Sequence, residues 1–143
     1  PCVRVLRADG TDTGIAFHGV PGGHEFNSFV VGLYNAAGPG QSIDPALAEA
    51  IAAIDRPLDL QIVVALSCTM CPELVIAAQK IAASNPLVTA KVYDVNHFPE
   101  LRERYKIMSV PCLIINKAKV AFGKKTLGQL LELLAEPEAG QTG

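Results

Sequence analysis

Cys68 and Cys71 stand two residues apart in the run Ser67, Cys68, Thr69, Met70, Cys71, Pro72, after an apolar strand pattern and at the opening of a helical one. Two thiols at this spacing can close and reopen one disulfide. A helix N-terminus carries partial positive charge and favours a thiolate over a thiol. Cys68, the outer sulfur, is therefore the expected nucleophile and Cys71, one turn into the helix, the resolving thiol. Such a pair also forms half of many zinc sites, and it is the position between strand and helix that favours redox work. The histidines His18, His24 and His97 are too scattered to suggest a metal site. No glycine-rich phosphate fingerprint follows a strand, so nothing supports flavin or nicotinamide binding within the chain. The expected cofactor is none beyond the Cys68–Cys71 disulfide itself.

The chain has 143 residues, 50% of them apolar, which suffices for a substantial core and suggests one domain and part of another. The net charge of -2 is spread over mixed signs, with no lysine or arginine run to follow a phosphate backbone, so nucleic acid is not expected as a partner. No stretch approaches the roughly 18 consecutive apolar residues of a membrane span, and no signal sequence opens the chain. Four cysteines are too few for a disulfide scaffold, and two lie in the reactive spacing, which fits a reducing compartment and predicts a cytoplasmic protein. The first residue is Pro1, which suits a processed or excised piece.

Around the pair, the pattern predicts these elements. Val3 to Leu6 and Gly14 to Phe17 form a hairpin about Asp9, Gly10 and Asp12. After Pro21, Gly22 and Gly23, Phe26, Phe29, Val30 and Leu33 fall at helical spacing to about Ala37. Asp44 and Pro45 start a second helix with Leu47, Ile51 and Ile54 on one side. Leu58 to Leu66 reads as a strand buried on both faces and leads straight into the cysteines. A helix through Val75, Ile76 and Gln79 stops near Asn85, a strand runs from Val88 to Val95, and a short helix from Pro99 to Tyr105. Leu113 to Ile115 and Lys119 to Phe122 form a second hairpin. Thr126 and Gln129 cap a last helix with Leu127, Leu130, Leu131 and Leu134 inward, before a flexible tail over 136–143.

Residues 44–135 thus read helix, strand, helix, strand, helix, strand, strand, helix, with the cysteines after the first strand. This is the thioredoxin order. Together with Pro21, Gly22, Gly23, His24, Glu25 and Phe26, the stretch Leu66 to Pro72 resembles the N-terminal redox module of the flavoprotein subunit of alkyl hydroperoxide reductase. The resemblance runs from about Gly14 to Leu134. It implies an α/β, three-layer thioredoxin-like fold over 44–135, preceded in 1–43 by a truncated second thioredoxin-like half reduced to strand, strand, helix. So small a piece must pack on the complete domain. A strand edge is left open, and a second copy (a homodimer) or a missing segment is expected to cover it.

The resemblance also assigns roles. It brings Glu25 to the cysteines as a buried carboxyl that moves protons, with Gly32 on the adjoining wheel position admitting another backbone. The residues alone allow Glu25 to be a surface acid of a first helical turn. Pro111 stands where thioredoxin folds carry a cis proline facing the disulfide. Val110 would pair with an incoming cysteine-bearing chain, and Thr69 and Met70 would join it in contacting substrate. Cys112, after that proline, is either a small buried hydrophobe or a third thiol, and Cys2 is incidental. The implied activity is thiol–disulfide exchange, relaying electrons from a flavin-dependent disulfide reductase, fused or separate, to a peroxiredoxin. A general thioredoxin or glutaredoxin type of protein disulfide reductant shares every residue of this site. A metal-binding module using Cys68, Cys71 and Cys112 lacks the usual two-pair spacing.

Overall fold

The computed structural model describes residues 1–136; most of the 136–143 tail lies outside the described residues. Its elements are β1 (Cys2–Leu6), β2 (Asp12–His18), α1 (Glu25–Ala37), α2 (Pro45–Ala52), β3 (Leu58–Val64), α3 (Cys71–Ser84), β4 (Val88–Asp94), α4 (Glu100–Arg104), β5 (Cys112–Ile115), β6 (Lys119–Phe122) and α5 (Leu127–Ala135). The strands form one sheet in the order β1-β2-β4-β3-β5-β6. β4 lies parallel to both β3 and β2, while the hairpins β1-β2 and β5-β6 are antiparallel. The hairpin of residues 1–43 is therefore built into the same sheet as the strands of 44–135. This is the packing that so small a piece requires.

β3 is buried at nearly every position because β4 and β5 flank it and side chains cover both its faces. Leu60, Ile62 and Val64 join the larger core with α1, α2, α3 and α5, and Val63 joins a smaller one beneath α4. Among the described residues the second helical layer is thus α4 alone, and the sheet over β1, β2 and β4 stays open. Local chemistry sets the helix starts. Asp44 accepts from the Ala46 N–H at 2.9 Å with Pro45 behind it, and Thr126 and Gln129 make the reciprocal capping box.

α1 buries its polar side and not its apolar spacing. Its buried positions are Glu25, Ser28, Gly32 and Asn35, while Phe26, Val30 and Leu33 are 62%, 42% and 40% exposed and Phe29 and Ala36 pack partly on the core. The cause lies on α3. Gln79 donates its amide N–H to the Ser28 carbonyl at 2.8 Å, and a Cβ on Gly32 would lie 2.7 Å from the same nitrogen. A side chain, not a backbone, fills the space that Gly32 leaves. With that side against α3, the apolar positions must point away. The same apolar spacing recurs in α5, where Leu130, Leu131 and Leu134 are buried and Leu127 partly so. Both helices end a Pro-Cys, strand, strand, helix unit, starting at Pro1-Cys2 and at Pro111-Cys112. One unit has its helix covered, and the other does not.

Candidate active site

The thiols sit where β3 leaves the sheet and α3 begins. Cys71 is the first residue of α3, not one turn into it, and Cys68 lies in the preceding turn with its N–H on the Ala65 carbonyl at 2.9 Å. Cys71 is fully buried and Cys68 half-buried, and both are free thiols in hydrogen-bonding contact with each other. The accessible sulfur is therefore Cys68. Burial, followed by the contact with Cys68, pushes the Cys71 thiol well above the ordinary thiol range, and the nearby Glu25 charge adds to this. Cys71 keeps its proton at neutral pH until a base removes it.

Two further segments close on the pair. The Val110–Pro111 bond is cis, and the Cys68 Sγ lies 3.9 Å from the Val110 carbonyl oxygen. From the other side comes the start of α1. The His24 N–H donates to the Leu66 carbonyl at 2.9 Å, just ahead of the cysteines, and Gly23 has a φ of +54° with its ideal Cβ position 2.6 Å from that same oxygen. Only glycine fits so close a crossing. This seats Glu25, which is 0% exposed and whose Oε1 accepts from the Ser28 hydroxyl at 2.5 Å. Burial raises its pKa, and the Ser28 hydrogen bond counters part of that rise. Glu25 is not a surface acid.

Thr69 and Met70 lie between the thiols, and Met70 is 55% exposed. Cys112 turns to the opposite side of the sheet, fully buried with Val63, Ile107 and Ile114 beneath α4, its thiol pushed up to about 11 by burial. It packs as a hydrophobe in a core that does not contain Cys71. His18 stacks on Tyr93 with ring centroids 4.2 Å apart. Among the described residues no group of three or more His, Cys, Asp and Glu could hold a metal ion. A cavity of about 810 Å³ on the open sheet face is lined by Cys2, Arg4, His18, Lys91 and Tyr93, away from the thiol pair. Ser28 and Gln79 join the site unannounced by the sequence, where Gln79 stood only as a member of the helix that became α3. Their signal was present in part, since Ser28 stands three residues after Glu25 on the same helical face.

A family model for the thioredoxin domain matches residues 58–135, from the first residue of β3 to the last of α5. The chain belongs to the thioredoxin domain family. In class it is a thiol–disulfide oxidoreductase, with its dithiol at the start of α3. It is similar to the alkyl hydroperoxide reductase AhpF of Pseudomonas aeruginosa, 33% identical over 94% of this chain and 25% of the relative, and to the Staphylococcus epidermidis counterpart, 30% identical over 90% and 25%. The chain thus spans about a quarter of the length of these curated relatives. The crystal structure of the NTD N/C domain of alkylhydroperoxide reductase AhpF from Enterococcus faecalis matches with a TM-score of 0.90 at 43% identity, over 94% of this chain and 65% of that one. A protein disulfide oxidoreductase from Aeropyrum pernix shares the fold, with a TM-score of 0.83 at 23% identity over 98% of this chain and 60% of that one. No helix of the described residues is long and apolar enough to cross a membrane.

Proposed function

We propose that this chain relays electrons from a flavin-dependent disulfide reductase, fused to it or separate, to a peroxiredoxin-type disulfide in the cytoplasm. The observation that carries the reading is the half-buried Cys68 Sγ beside the Val110 carbonyl, with Cys71 and Glu25 both fully buried behind it. The Cys68 thiolate attacks one sulfur of the partner disulfide, forming a mixed disulfide and releasing a partner thiolate that takes up a proton. Cys71 then gives its proton to the Glu25 carboxylate and attacks the Cys68 sulfur. The mixed disulfide breaks, the Cys68–Cys71 disulfide forms, and the second partner thiolate leaves and is protonated. Glu25 passes the Cys71 proton on to the departing thiolate and is a carboxylate again. Counting the proton that Cys68 released on ionising, the dithiol loses two electrons and two protons, the partner disulfide gains two of each, and the donor reductase restores the dithiol. Pro111 and Val110 present backbone to which the partner's extended segment pairs, and Thr69 and Met70 give it contact beside the nucleophile.

The similarity to AhpF supports the peroxiredoxin as acceptor. Cys71→Ser in the full chain, exposed to cell extract, is expected to hold a peroxiredoxin through Cys68 that reductant releases. A broad set of unrelated proteins would replace this reading with a general protein disulfide reductant, and no covalent adduct at all would end both. We also propose that a second copy of the chain covers the β1 edge and the bare face of α1. The covered counterpart of that face on α5 supports this, because the same apolar spacing is buried there.

A further inference from the structure

A buried carboxyl group needs hydrogen-bond partners in both protonation states, and Glu25 has a partner for one oxygen only. Oε1 lies 2.5 Å from the Ser28 hydroxyl, while Oε2 is buried without any hydrogen-bond partner among the described residues. The Ser28 hydroxyl, itself fully buried, also lies 2.9 Å from the main-chain carbonyl oxygen of Glu25. A hydroxyl has one hydrogen to give and lone pairs with which to accept. Two arrangements use the same heavy-atom positions. With Glu25 ionised, Ser28 gives its hydrogen to Oε1. With Oε1 protonated, that proton is given to the Ser28 oxygen, and the Ser28 hydrogen turns to the Glu25 carbonyl.

Ser28 is held in turn by α3. Gln79 donates to the Ser28 carbonyl at 2.8 Å, and Gly32, one turn further along α1, leaves the room that Gln79 occupies. The helix that fixes Ser28 is the one that begins with Cys71. We propose that Ser28 is a positioning residue: its hydroxyl partners Oε1 of Glu25 in either protonation state, donating to it while the carboxyl is ionised or carries its proton on Oε2 and turning to accept only when the proton sits on Oε1, and it leaves Oε2 unpaired for the proton of the thiol pair. The inference rests on Glu25 acting as the proton carrier.

The surroundings leave few competing groups. Facing Glu25 from α3, the titratable group is Cys71, which the Glu25 charge influences. The other side chains at this helix contact, Ser28, Asn35 and Gln79, are neutral, and burial and Ser28 are the two influences on the Glu25 proton affinity. The hydrogen bond is stronger to the charged carboxylate than to the neutral acid, so removing the hydroxyl weakens the charged form more and raises the Glu25 pKa.

The test is carboxyl-carbon NMR of the full reduced chain labelled at glutamate, with Glu25→Gln identifying the resonance. Ser28→Ala is expected to raise the Glu25 midpoint by about one unit or more, Ser28→Thr to restore it, and the pH profile of Cys68–Cys71 closure to move with it. An unchanged midpoint in Ser28→Ala overturns the inference. So does an equal rise in both variants, since packing rather than the hydroxyl would then be responsible. If Glu25→Gln closes the disulfide with the unaltered pH profile, the proton-carrier reading fails separately, whatever Ser28 does to the midpoint.

Discussion

Glu25 is the residue at which stability and chemistry meet. In the unfolded chain it ionises at the ordinary carboxylate value, and in the fold burial makes it hold its proton to higher pH. Between the two values the native state binds more protons than the unfolded state. Its contribution to stability is therefore full below the ordinary carboxylate value and is lost as pH rises through the folded one. Glu25→Gln carries no such dependence. In urea unfolding followed across that pH window, the variant should gain on the native chain as pH rises. Parallel curves would mean that the carboxyl is not held protonated by burial. The fully buried thiols Cys71 and Cys112 follow the same logic, since burial raises the proton affinity of each.

At the scale of elements, the site depends on how α1 meets the strand-to-helix turn. The crossing of Gly23 over the Leu66 carbonyl sets where α1 begins, and the Ser28, Gly32 and Gln79 contact sets its rotation. Gly23→Ala adds a Cβ against main-chain atoms at a φ of +54°, where a side chain is strained in any case. A cost of about 1 to 3 kcal/mol in urea unfolding is expected, together with slower closure of the Cys68–Cys71 disulfide as Glu25 is displaced. Unaltered stability and closure would show that the crossing does not seat the carboxyl. The buried polar side of α1 also explains the outward stripe, because one helix cannot turn both sides to α3.

The described residues form one core-facing helical layer, with a single short helix on the other face and an open β1 edge. That edge and the stripe of Phe26, Val30 and Leu33 belong to one strand, strand, helix unit. A second copy over this unit would remove apolar surface from water and pair backbone groups that the edge leaves free. Light scattering at increasing concentration should show a dimer, and the double variant Val30→Asp with Leu33→Asp should weaken its association at least about tenfold, equivalent to about 1.4 kcal/mol. A chain that stays monomeric at every concentration would refute self-association.

Much of this protein was written in its order of residues. The cysteine spacing, the run of β3 into the pair, the capping box at Thr126 and the hairpins follow from periodicity and turn chemistry, which act over a few residues. The family followed from motif and element order together. The rotation of α1 did not, since the spacing of its apolar positions does not say which side meets α3, and the tertiary contact buried the polar one. Nor did the separation of Cys112 from the thiol pair, because successive residues of a strand face opposite sides and only the assembled sheet shows which core each side meets. Local patterns determined which elements form. Long-range packing decided which side chains leave water, and with them which carboxyl lies near the thiols.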